Sequence, residues 1–78
     1  MTDTDVTTTL GQKPTKPTDP NDPGYKATRW VLPNALVSNL STDPGVRVCQ
    51  WTDRKQPPVV LGYATTADEL KALLGRIP

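Results

Sequence analysis

Few side chains in this 78-residue chain could do chemistry, and their spacing narrows the choice further. There is no histidine, which removes His-dependent triads, His-type zinc ligation and the usual proton shuttle at neutral pH. Cys49 is the single cysteine. It can form no internal disulfide, has no imidazole to activate it and falls in mid-strand, so it reads as a packed thiol rather than a nucleophile. Asp68 and Glu69 are adjacent carboxylates at a helix start, where the helix dipole accounts for both. A paired-carboxylate mechanism would also need a cleft that so short a chain has little room to build. Arg29 and Trp30, with Trp51, Arg54 and Lys55, could form a basic aromatic platform for single-stranded nucleic acid if their strands were neighbours. A core without phenylalanine has prior need of both tryptophans, and scattered arginines are an ordinary solvated face. These residue types point away from an enzyme, a metal or a cofactor. They leave recognition of protein, for which Trp30 or Trp51 would be an anchor if left at the surface.

The most regular pattern in the chain is a set of prolines at Pro14, Pro17, Pro20 and Pro23. A polyproline II helix has three residues per turn, so the four rings would line one edge of an extended rod roughly 30 Å long. Lys13, Lys16, Asp19 and Asp22 would form the second edge, and Thr15, Thr18, Asn21 and Gly24 the third. Such a rod is either a preorganised strap for a neighbour's surface or a semi-rigid spacer. No arginine flanks it where proline-recognition ligands carry one.

The elements that would position these residues lie mostly after Gly24. Leu, Ile and Val number only two in residues 1–24 and fourteen in the other 54, and formal charge divides at the same place, −2 before and +3 after. So mild a balance gives no single-sign cluster for nucleic acid or a membrane surface. Tyr25 to Leu32 alternates like a strand, with Lys26, Thr28, Trp30 and Leu32 on one face. Ala35 to Leu40 fits a helical turn and a short strand equally. Asp43-Pro44-Gly45 has the chemistry of a type II turn, with a positive φ expected at the glycine. Val46 to Trp51 and Val59 to Tyr63 flank a polar, proline-marked loop as a hairpin would. Thr66 with Glu69 three residues on is a capping box, and Ala67, Leu70, Leu73, Leu74 and Ile77 form one apolar stripe ended by Gly75 and Pro78. The start Met-Thr-Asp-Thr-Asp lacks the basic and apolar parts of a signal peptide, and no apolar run approaches a membrane span, so cytosolic synthesis is expected.

The expected fold is α+β: a small antiparallel sheet of three or four strands with one C-terminal helix and a long extended N-terminal arm. The division is an arm of residues 1–24 and a globular unit of residues 25–78. A core so small, with neither disulfide nor metal, gains from association, and an extended arm adds contact area without a larger fold. The sequence therefore suggests a structural or accessory subunit of a large assembly, above all a phage virion, as a capsid decoration or minor capsid protein. Its partner-binding residues would be Lys13, Pro14, Lys16, Pro17, Pro20 and Pro23 of the arm, with Trp30 and Trp51. The alternative is a small soluble adaptor or inhibitor that takes one host protein through a sheet edge or an exposed tryptophan. The partners expected are proteins, without nucleic acid or membrane, and homo-oligomerisation is left open. The location would be the virion, otherwise the cytoplasm.

Overall fold

Residues Gly45 to Ala64 form the hairpin that the valines specify, and the computed structural model, which describes residues 1–22, 25–53 and 55–77, builds the rest outward from it. The elements run α1 (Asp3–Leu10), β1 (Thr28–Val31), β2 (Ala35–Asn39), β3 (Val46–Gln50), β4 (Val59–Ala64) and α2 (Ala67–Leu74). The strands form a single antiparallel meander in the order β1-β2-β3-β4. Alternation sorts their residues onto two faces. Trp30, Val37, Val48 and Gly62 are successive cross-strand partners on one face, and both helices pack there. The ambiguous segment after Pro33 is a strand because Leu36, Val37 and Ser38 find partners on both sides, which a lone helical turn could not supply.

The sheet, the C-terminal helix and the α+β class are as the residues indicate; the N-terminus is not. Residues 3–10 form a helix, so the long extended arm is replaced by a second helix and a short strap. Thr2 caps α1 through a reciprocal box, its hydroxyl accepting from the Asp5 amide at 3.2 Å while the Asp5 carboxylate accepts from the Thr2 amide at 2.9 Å. Gly11 ends it in the left-handed region at φ 66°, the one positive φ among the described residues. An eight-residue helix rich in threonine and aspartate is too short and too poor in propensity to stand alone. Tertiary contacts hold it: Val6 is fully buried beside Trp30, Val37, Val46, Val48, Ala64 and Leu70. Trp30 Nε1 donates to Thr7 Oγ1 at 3.2 Å, and Asp3 accepts from Thr28 Oγ1 and Asn39 Nδ2, each at 2.8 Å.

Between α1 and β1 the chain doubles back instead of running as a rod. Asp22 donates its amide to Asp19 O, and the Asp19 carboxylate accepts from the Asn21 amide, so Pro20 sits inside a turn rather than on a straight edge. Thr15 makes one bridge to the outer edge of β1, exchanging backbone bonds of 2.7 and 2.9 Å with Arg29, and Gln12 Nε2 donates to Val31 O. The strap thereby covers an otherwise open sheet edge.

Two local expectations change. Gly45 has no positive φ; a Cβ there would stand 2.7 Å from Ala64 O, so close backbone approach demands the glycine. Glu69 does not complete the expected reciprocal box. The Glu69 amide donates to Thr66 Oγ1, and its carboxylate accepts from the Thr65 hydroxyl at 2.5 Å. Leu70, Leu73, Leu74 and Ile77 pack on the core as their spacing indicates, while Ala67 stays exposed. Pro78 lies outside the described residues.

Candidate protein interface

The partner residues inferred from the sequence do not come together. Trp30 is fully buried on the helix side and serves as core, so it cannot anchor a partner. Trp51, half-buried, continues the alternation of β3 on the opposite side, its amide donating to Asn34 O at 3.0 Å. β2 lies between their strands, so the basic aromatic platform does not assemble. Of its other members Lys55 is exposed and Arg54 lies outside the described residues, as does Pro23 of the proline series. Lys13, Pro14, Lys16 and Pro20 are exposed and Pro17 is half-buried, all on the strap.

What the meander does assemble is a face that neither helix covers. The register places Val31, Leu36, Cys49 and Val60 in one row across all four strands, and Arg29, Ser38, Arg47 and Tyr63 in the row beside it. Val31 and Val60, at the ends of the apolar row, are 43% and 47% exposed; Leu36 is half-buried and Cys49 buried between them. Burial pushes the Cys49 thiol above its ordinary pKa, and nearby Arg47 only partly offsets this. The thiol therefore stays protonated near neutral pH, as a packing group would.

The polar row is held in place by carboxylates from the loops. Asp22, at the end of the strap, grips Arg29 with both oxygens at 2.6 and 3.1 Å, and Asp43 takes Arg47 Nη2 at 3.4 Å. The Arg47 guanidinium lies 5.7 Å from the centroid of the Tyr63 ring, and its Nε is buried without a hydrogen-bond partner among the described residues. A shallow cleft of about 330 Å³ lies over Arg29, Ser38 and Arg47, rimmed by both aspartates. The two arginines of the row are thus each paired with a carboxylate of the same chain.

The sequence missed this face because it depends on register. Val31, Leu36, Cys49 and Val60 belong to four separate segments, and only the pairing aligns them. Among the described residues, no group of His, Cys, Asp and Glu gathers as metal ligands, and no helix is long and apolar enough to cross a membrane. No protein-family model, curated protein or solved structure matches the chain.

Proposed function

We propose that this chain is a structural or accessory subunit of a large protein assembly, a phage virion being the setting that fits its size and build, as a capsid decoration or minor capsid protein. In this reading it attaches through the open face of its sheet, with the exposed strap as a flanking contact. The observation that carries the reading is the apolar row Val31–Leu36–Cys49–Val60 on the side of the sheet away from both helices, with Val31 and Val60 exposed and Leu36 half-buried on a chain that has little apolar surface to spare. Exposed apolar side chains bordered by polar ones are the form of a protein docking surface. A flat sheet face suits a flat, repeating partner surface better than it suits a small molecule, which needs a concave pocket.

The rival is a small adaptor or inhibitor that takes one protein through a sheet edge, and it draws on β4, whose outer side carries no strand among the described residues. Stoichiometry and variants separate the two. Followed through rate-zonal sedimentation of native lysate, the chain should run with large particles in many copies, and Val31→Asp combined with Val60→Asp should return it to the top of the gradient. Migration as a defined one-to-one complex, or particle binding untouched by the double substitution, would refute the proposal.

A further inference from the structure

The two edges of the sheet are treated differently. The strap covers β1, whereas among the described residues no strand pairs with the outer edge of β4, and β4 holds three of the five large apolar side chains that stand exposed there: Val59 at 57%, Val60 at 47% and Tyr63 at 37%. Edge strands are commonly protected by charge. Here the eleven residues from Pro57 to Ala67 carry none.

Two further features select the occupant. The first is a β-bulge: Val48 pairs with Gly62 and Cys49 with Val60, leaving Leu61 as the extra residue. Leu61 and Gly62 therefore share the helix side, where Leu61 packs on the core and a Cβ at Gly62 would lie 3.1 Å from Leu73 Cδ2. From Val59 to Ala64 the faces read helix side, open side, helix side, then the same three in reverse. This order is symmetric about the point between Leu61 and Gly62. An antiparallel second β4 centred there places Val60 opposite Tyr63 on the open side and Val59 opposite Ala64 on the helix side, so every pair agrees in face.

The second feature is charge on α2. Glu69, Ala72 and Arg76 line the notch between α2 and β4; Glu69 and Ala72 lie one turn apart on the helix, and Arg76 follows its C-cap, Gly75. In sequence Glu69 and Arg76 are equidistant from the midpoint between Ala72 and Leu73, and the Leu73 side chain packs against Gly62. A two-fold axis at this level sets Glu69 of each copy toward Arg76 of the other, with the small Ala72 at the crossing. Arg76 makes no ion pair within the chain among the described residues.

We infer that two copies of this chain pair through β4 about a two-fold axis at Leu61 and Gly62, giving a continuous eight-stranded sheet with reciprocal contacts between Glu69 on α2 of one copy and Arg76, just past α2, of the other. The inference holds whether or not the open face binds a larger assembly. The contact is short, so the dimer is weak, with a dissociation constant on the order of 10–100 μM.

Sedimentation equilibrium of the full chain from about 5 to 500 μM tests this directly. The expected result is a concentration-dependent mass that rises from 8.5 kDa toward twice that value. Arg76→Glu should weaken association at least tenfold, and Arg76→Glu with Glu69→Arg should restore it to within about threefold of the native chain. Circular dichroism melts confirm that each variant is folded. In a mixed-isotope sample, intermolecular NOEs should join the Val60 methyls to the Tyr63 ring. A chain that stays monomeric across the range, a charge swap without rescue, or intermolecular NOEs confined to another surface would overturn the inference.

Discussion

Val6→Ala places the N-terminal helix under the most informative strain. The Val6 side chain is fully buried against Trp30 and Leu70, so the substitution removes two methyl groups from the core. At ~0.8 kcal/mol per buried carbon the transfer loss is about 1.6 kcal/mol, and incomplete collapse of the cavity raises it to about 2–3 kcal/mol. Alanine favours the helix over valine by ~0.6 kcal/mol, which leaves a net loss of about 2 kcal/mol. With a urea slope of ~1 kcal/mol/M for a chain of this size, the unfolding midpoint should fall by about 2 M. Trp30 fluorescence is a suitable probe, because its indole N–H donates to Thr7 in the same helix. An extended arm, with Val6 already exposed, would show no loss at all. A midpoint that stays put or rises would refute the packing of α1 on the sheet.

Gly45→Ala should cost more than 2 kcal/mol, because the added Cβ would stand 2.7 Å from the Ala64 carbonyl and only backbone movement relieves it; thermal melts measure this. Burial raises the Cys49 pKa, so the native thiol should react slowly with a thiol reagent at pH 8 and quickly in urea, and stability should decline as pH rises through and above about 9, the ordinary value, where the unfolded thiol ionises first. Acid should act on both helix starts. Hydrogen bonds from Thr2 lower the Asp5 pKa, and those from Thr65 and Thr66 lower that of Glu69, so their stabilisation is present above the ordinary values of 3.8 and 4.5 and is lost as pH falls below them, seen as declining helical signal in circular dichroism.

How far the fold was legible depends on whether a segment carries its own signal. β3, β4 and α2 did: valine pairs around a proline-marked loop and a leucine stripe behind a threonine cap state their elements locally. β2 did not, because Leu36, Val37 and Leu40 fit two periods and only pairing with both neighbours decides. α1 was hidden by composition. Its threonines and aspartates suggest disorder, yet Thr2 with Asp5, the Val6 and Leu10 spacing, and Gly11 are ordinary helix start, face and stop signals. The proline period misled for a related reason: regular spacing describes an unattached rod, whereas Asp19 hydrogen bonds and the Arg29 latch turn this one back on the sheet. Both rows of the open face, and the symmetry of β4, come from register and from one bulge, which no single segment encodes.

The measurement that bears most directly on the open-face account is carbene footprinting of the chain on its native particle against the free chain. Labelling of Val31, Leu36 and Val60 should fall at least severalfold on the particle, while Lys13, Pro14 and Pro20 change less. Protection confined to the strap, with Val31 and Val60 labelled as in the free chain, would contradict the account.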